Sequence, residues 1–136
     1  MRIRICDETD VPLLAAMNKR LIEDEKSSNP MDIEQLENRM RVFLSGEYTA
    51  YLFTEDGSVA GYALVKDSST PYLRQFYIER QYRRAHRGRN AFELLKEQLQ
   101  TDAIDIDVLP WNQAGRAFWA SLGFKETCVS MRYERE

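Results

Sequence analysis

The sequence predicts one mixed α/β domain in the order β-α-α-β-β-β-α-β-α-β. It opens with an antiparallel meander and closes with crossovers of parallel type. Three observations lead there. The 136 residues are 43% hydrophobic and 30% charged, an ordinary globular composition. Apolar residues recur with period 3.6 in some stretches and with period two in others. Glu55-Asp56-Gly57-Ser58 carries the Asp-Gly hairpin signal between two apolar runs. Size scaling gives about 7,400 Å² of folded surface against about 23,000 Å² unfolded, so a core forms without disulfides or metal. No linker, repeat or low-complexity segment divides the chain, and 1–136 reads as one domain.

Ile3 and Ile5 alternate with Arg2 and Arg4 as a short first strand. Thr9 or Asp10 then caps a helix that tolerates Pro12 in its first turn. Its apolar face is Leu13, Leu14, Met17, Leu21 and Ile22. It runs into Glu23-Asp24-Glu25 and stops in Ser27-Ser28-Asn29-Pro30. Asp32 with Gln35 forms a capping box for a second helix, which carries Ile33, Leu36, Met40, Phe43 and Leu44 and ends at Gly46. Residues 48–54, 59–65 and 72–79 read as strands. A helix with Ala91, Phe92, Leu95 and Leu99 on one face follows an arginine-rich stretch. Ile104, Ile106 and Val108 alternate with aspartates as a strand. Asn112 caps a last helix with Ala117, Phe118 and Leu122, closed by Gly123, and 124–134 is strand-like.

The chemical signal is a strand, then Tyr82-Arg83-Arg84-Ala85-His86-Arg87-Gly88-Arg89-Asn90, then a helix. Unpaired amides and the dipole at a helix N-terminus favour an anion. Five arginines, Arg80, Arg83, Arg84, Arg87 and Arg89, crowd that positive end together with His86, the only histidine. An anionic ligand would relieve the crowding; a solvated basic loop is the other reading.

These residues resemble the GNAT superfamily of N-acetyltransferases. The family's Arg/Gln-x-x-Gly-x-Gly/Ala loop falls on Arg83-Arg84-Ala85-His86-Arg87-Gly88. Its Asn, aromatic-pair, Gly-Phe block falls on Asn112, Phe118-Trp119 and Gly123-Phe124. The resemblance covers nearly the whole chain and is strongest over 73–124. It implies a GNAT-like acyl-CoA acyltransferase fold, a central mixed, mostly antiparallel sheet flanked by helices. It also implies acetyl-CoA as cosubstrate, with no metal. Amides of Arg84, Ala85, His86, Arg87, Gly88 and Arg89 would hold the pyrophosphate, with Arg83 beside them. Strand 73–78 would splay from strand 104–108 and pair with the pantetheine arm. Amides near Phe76 and Ile78 would polarise the thioester carbonyl. Asn112 and Phe118 would line the far side, although a plain helix cap and ordinary core describe them equally well.

The chain departs from the family twice. His86 and Arg87 stand where Gly and an apolar residue are usual, and His enters the positive-φ region at some cost. Trp119 replaces the Tyr that many relatives carry as the proposed acid; an indole N–H is no acid at working pH.

The implied reaction is direct attack of a primary amine on the thioester, which requires a proton acceptor. His86 lies in the pyrophosphate loop, too far from the thioester to serve. Glu23, Asp24 and Glu25 oppose the helix dipole and would sit over the acceptor mouth, where they attract a cationic amine. A solvated acidic helix end is the plainer reading. Tyr72 is a further candidate beside the catalytic strand, as is Tyr77, while Tyr48, Tyr51 and Phe53 read as core.

The leading function is thus an N-acetyltransferase acting on a small-molecule or protein amine, with homodimerisation possible on the family's habit. A non-catalytic acyl-CoA-binding or sensor domain is the alternative. Nucleic-acid binding ranks last, because 19 Lys+Arg against 22 Asp+Glu leave a net charge of −3 and no basic face elsewhere. Cys6 and Cys128 make no metal-ligand or disulfide framework. No apolar run approaches a membrane span, and the opening MRIRICDETD lacks the apolar stretch of a signal peptide, so a cytoplasmic location is expected.

Overall fold

A computed structural model describes residues 1–135. The alternating Arg2–Ile5 segment forms β1, an edge strand whose Arg2 and Arg4 discourage further edge pairing. A single 3-10 turn, Glu8–Asp10, leads into α1, Val11–Asp24, and then α2, Ile33–Ser45. The sheet continues with β2, Tyr48–Glu55, β3, Ser58–Lys66, and β4, Tyr72–Ile78. After a 3-10 turn at Arg80–Tyr82 come α3, Arg87–Leu99, β5, Asp105–Ile106, and α4, Gln113–Ser121. The strands lie in sequence order, β1 to β4 antiparallel and β4–β5 parallel.

Local chemistry explains most of these boundaries. Asp56 and Gly57 both take positive φ (50° and 80°), the type I′ geometry that an Asp-Gly hairpin selects. Asp32 accepts from the Gln35 amide while Gln35 bonds back to the Asp32 amide, closing the capping box on α2. The entrance to α1 departs from expectation. The capping side chain is Asp7, which accepts from the Thr9 amide, rather than Thr9 or Asp10. Asp10 instead turns back to the Asp7 amide at 2.9 Å and to the guanidinium fork of Arg4 at 2.8 and 2.9 Å.

Strand alternation divides the core between the two faces. On one, Leu52, Tyr62, Leu64 and Tyr77 meet Val11, Leu14 and Met17 of α1 and Met40 of α2. On the other, Phe53, Val65, Leu73 and Ile78 meet Phe92 and Leu95 of α3, with Trp119 and Phe124 against them. Two register shifts interrupt the ladders. One leaves Ala60 as an extra residue in β3. The other leaves Arg74 as an extra residue in β4, between the pairs Leu64↔Gln75 and Val65↔Leu73. The second bulge turns Leu73 to the α3 face and Gln75 to the α1 face.

Two expectations fail at the C-terminal end. The strand expected over 104–108 shortens to Asp105–Ile106, and the strand-like tail 124–134 forms no strand at all. A strand needs a backbone partner, and the two-residue β5 pairs only with β4 among the described residues. Val129, Met131 and Tyr133 consequently stand 74, 92 and 88% exposed. The accessible surface of 9238 Å² exceeds the scaling value of about 7,400 Å², an excess to which this extended tail contributes. In α4 the inward face is Phe118, Trp119 and Leu122, and Ala117 faces solvent.

Two predictions follow from this packing. The Arg4 fork holds the Asp10 carboxyl below its usual range. A lowered folded-state pKa gives stability that is present above the unfolded value of about 3.9 and is lost as pH falls through the folded value. Asp10→Asn is expected to cost about 1–3 kcal/mol at pH 7. The gap from the parent should close below about pH 4 in a series of urea melts. Gly61 has no room for a side chain, since a Cβ would stand 2.0 Å from the Tyr77 carbonyl oxygen. Gly61→Ala should therefore cost about 3 kcal/mol or more, read as a lower urea midpoint.

Candidate active site

β4 and β5 pair at only two positions, Tyr72↔Asp105 and Leu73↔Ile106. Beyond Leu73 the strands part, so the β5-facing edge of β4 from Arg74 to Ile78 has no strand partner. The parted strand runs straight into the arginine loop. There Ala85 and His86 both adopt left-handed backbone, φ 59° and 58°, before α3 begins at Arg87. Passing from left-handed to right-handed backbone turns successive amides into one concavity, the geometry of an anion nest. The first intrahelical bond runs from the Asn90 amide to the His86 carbonyl. No amide from Arg84 through Arg89 has an acceptor among the described residues. Six donors thus stand at the positive end of α3, two of them on Ala85 and His86 in the left-handed conformation that glycine would take without strain.

The five arginines divide by task. Asp24 accepts from Arg80 at 2.9 Å and from Arg83 at 2.5 Å. Arg83 also donates from Nε to the Ile78 carbonyl at 2.7 Å and covers the Tyr77 ring at 5.3 Å. It ties the end of β4 to the end of α1. Arg87 approaches Glu55 at 3.5 Å, and Arg89 donates to the Ser121 carbonyl. Arg84 is exposed and has no ion pair among the described residues, which makes it the arginine most available to an anion.

Gly88 acts differently from what its sequence position suggests. Its φ is unexceptional, and a Cβ there would meet the Phe118 ring at 3.1 Å. The glycine makes room for an aromatic cluster. Phe118 stacks on Phe76 at 6.1 Å, and Trp119 meets Phe76, Phe92, Phe118 and Phe124 edge-on at 4.9–5.7 Å. This cluster backs the parted strands on the α3 face. Trp119 fills it with apolar area that a Tyr hydroxyl would interrupt. Asn112 caps α4 by accepting from the Gly115 amide at 3.0 Å, so its carboxamide oxygen is occupied within its own helix.

The acidic candidates separate at the other side of the cleft. Glu23 is exposed. Asp24 is held below the usual carboxylate range by its two guanidiniums, against the opposing effect of burial. Glu25 is half-buried, and burial pushes its carboxyl up, helped by Asp24 next to it. Its backbone carbonyl accepts from Trp111 Nε1 at 3.1 Å, a contact that brings the loop before α4 across to the end of α1. Tyr72 donates to Asp107 at 2.8 Å, and burial followed by that bond pushes its hydroxyl up to about 12. Tyr77 is buried under Arg83.

Sequence reasoning passed over a group of buried polar side chains under the expected acceptor mouth. Asn18 is 1% exposed, Gln75 7%, and Tyr62 wholly buried. Tyr62 donates to Gln75 at 2.8 Å, and Arg39 Nη2 donates to Asn18 at 3.0 Å. The charge of Glu25 acts on the Tyr62 hydroxyl. A polar residue at an inward position of a strand or helix is the signal that marks Asn18, Tyr62 and Gln75. A separate open groove of about 560 Å³ lies between α1, α2 and the β1–β2 edge, lined by Ile5, Val11, Val42 and Ala50. It shares only Tyr48 with the mouth and brings no convergent polar groups to the parted strands.

The two left-handed residues carry a measurable strain. Ala85→Gly and His86→Gly are each expected to raise stability by up to about 1 kcal/mol, and Ala85→Val to lower it, in thermal melts of the free protein.

Residues 14–136 match the family model described as the acetyltransferase (GNAT) domain. No curated protein matches the chain. Among solved structures, a possible acetyltransferase from Clostridium difficile 630 is 20% identical, with 99% of this chain and 96% of that one covered and a TM-score of 0.78. An aminoglycoside antibiotic 6'-N-acetyltransferase from Acinetobacter haemolyticus is 16% identical over 100% and 99% of the two chains, TM-score 0.77. A predicted acetyltransferase from Clostridium acetobutylicum, solved with acetyl-CoA, is 17% identical over 98% and 95%, TM-score 0.75. At these identities the structures establish a shared fold. With a family model spanning nearly the whole chain, the parted strands and the amide-lined loop belong to a member of the GNAT acetyltransferase family.

Proposed function

We propose that this protein transfers the acetyl group of acetyl-CoA to a primary amine by direct attack. The observation that carries the reading is the parting of β4 from β5, followed one 3-10 turn later in the chain by six unbonded amides. An extended arm that ends in a pyrophosphate suits that pairing of a free strand edge with an anion nest. The amides of residues 84–89 and the free Arg84 would hold the pyrophosphate. The free edge of β4, at Phe76 and Ile78, would align the arm and its thioester carbonyl. Side chains of Phe76 and Phe118 supply an apolar wall on the α3 face.

Among the acidic residues, Glu25 suits the amine best. Its carboxyl is half-buried and engaged by no side-chain hydrogen bond among the described residues, and its raised pKa brings it nearer to that of an amine. Asp24 is spent on two arginines, Glu23 stands in solvent, and the Tyr72 hydroxyl serves Asp107. Attack by the neutral amine forms the amide bond and breaks the carbon–sulfur bond. Glu25 takes the amine proton, directly or through water. A thiol pKa of about 8.5 lets the thiolate leave without a dedicated acid, consistent with Trp119 at the family's Tyr position.

Acetyl-CoA at a hundredfold excess over Kd should add about 2.7 kcal/mol of stability, a melting shift of several degrees. No shift with acetyl-CoA or CoA would overturn the reading, and binding without turnover of any amine would favour a sensor. Glu25→Gln should leave the Kd of acetyl-CoA intact and lower kcat about hundredfold. Because burial raises the Glu25 pKa, its basic form fills only as pH climbs above the usual carboxylate range. The variant should therefore lose the acid limb of the kcat–pH profile. Asp24→Asn should show the reverse balance, a lower melting temperature with a smaller loss of kcat.

A further inference from the structure

Arg39 and Arg74 stand apart from the other ion-paired arginines at this end of the protein. Both guanidiniums lie over the Phe43 ring, at 5.4 and 4.9 Å from its centroid, so two like charges share one aromatic side chain. Neither makes an ion pair among the described residues. Arg39 gives Nη2 to Asn18, yet its Nε is buried with no hydrogen-bond partner among the described residues. Arg74 has a single long bond, 3.3 Å, to the Tyr48 hydroxyl. An unsatisfied buried donor on a charged group costs more than its ordinary hydrogen bond returns. Burial and the charge of Arg74 both disfavour the Arg39 cation, the burden of a site that lacks its counter-charge. The cation–π contacts offset only part of this.

The place of the pair in the fold gives it a use. Arg74 is the bulged residue of β4, where pairing with β5 ends. Arg39 reaches the same floor as Asn18, next to Tyr62 and Gln75. Carboxylates occupy the other parts of this mouth. Asp107 is held by Tyr72, whose hydroxyl also feels Arg74, and Glu25 acts on Tyr62.

We propose that Arg39 and Arg74 bind a carboxylate on the acceptor, so that the preferred substrate is an amine that also carries a carboxylate. The proposal rests on the acetyl-transfer reading above. A zwitterion matches the mouth in sign at both ends, its ammonium toward Glu25 and its carboxylate toward the guanidiniums. The planar fork of an arginine suits a carboxylate, and Glu25 and Asp107 in the same mouth disfavour a dianion such as a phosphate monoester.

The test compares amino-carboxylates with their isosteric carboxamides across a short length series, by calorimetric binding to the CoA complex and by turnover with acetyl-CoA. At least one carboxylate member should bind, and be turned over by kcat/KM, tenfold or more better than its amide. Arg74→Gln and Arg39→Gln should each shrink that ratio toward one. Arg41→Gln, on the exposed side of α2, controls for general charge and should leave the ratio unchanged. Thermal melts establish that the variants are folded, and exposed Arg74 keeps the test open if Arg39→Gln destabilises the floor. Equal binding of acids and amides, or a preference untouched by Arg74→Gln, would overturn the carboxylate site whether or not amines are acetylated. Carboxylate binding that depends on both arginines, without turnover of any amine, would support the site and overturn the acetyl-transfer reading instead.

Discussion

The parting of β4 from β5 after Leu73 is the constraint on which the rest of the site depends. Two paired residues join the strands, and then a bulge at Arg74 twists β4 away. The free edge leaves backbone groups of β4 in need of partners, a liability in an ordinary sheet. The molecule keeps the strands apart with side chains on both faces. Phe76, Phe118 and Trp119 pack behind the gap on the α3 face, where Gly88 makes the space for Phe118. On the other face Trp111 bonds across to Glu25, and Asp24 clamps Arg80 and Arg83 to the end of α1. A ligand lying along that edge would complete the backbone pairing that β5 leaves unmade.

The arginine loop obeys the same logic at smaller scale. Left-handed Ala85 and His86 cost conformational energy, and the six amides they help to expose lose their hydrogen bonds. The surrounding arginines add repulsion to that cost. Asp24 and Glu55 neutralise part of it and fix the loop against α1 and β2. Arg84 keeps its charge unpaired among the described residues, beside the unbonded amides. Preorganised donors of this kind need no reorganisation when an anion arrives.

Much of this architecture was legible in the chain because it is local. The Asp56-Gly57 hairpin, the Asp32–Gln35 capping box, the Asn112 cap and the apolar face of α3 each follow from residues close in sequence. Family resemblance placed the loop and the GNAT fold. What the sequence hid depends on partners distant in sequence. Strand pattern at 124–134 gave no hint that the backbone would lack a partner, because alternation describes faces and not pairing. Asp10 reads as a helix cap until Arg4, six residues away, claims it. Arg39 and Gln75 reach the mouth from α2 and β4 and are unremarkable in their own segments. Gly88 follows the family pattern, yet the structure assigns it to Phe118, thirty residues on.

The acidic run Glu23-Asp24-Glu25 shows why residue type alone could not assign the chemistry. Three adjacent carboxylates leave the end of one helix into three environments. Glu23 meets water, Asp24 meets two guanidiniums, and Glu25 is half-buried with no side-chain partner among the described residues. The same covalent group is thereby a solvated charge, a structural clamp and a carboxylate of raised basicity. The clamp also acts on Glu25, since the negative charge of Asp24 adds to burial in raising its neighbour. Arg80 and Arg83 hold that carboxylate in place beside Glu25. The arginines that anchor the loop therefore act, through Asp24, on Glu25. The two ends of the cleft are joined through one helix terminus, and a change at Arg83 should be felt at Glu25 as well as in the loop.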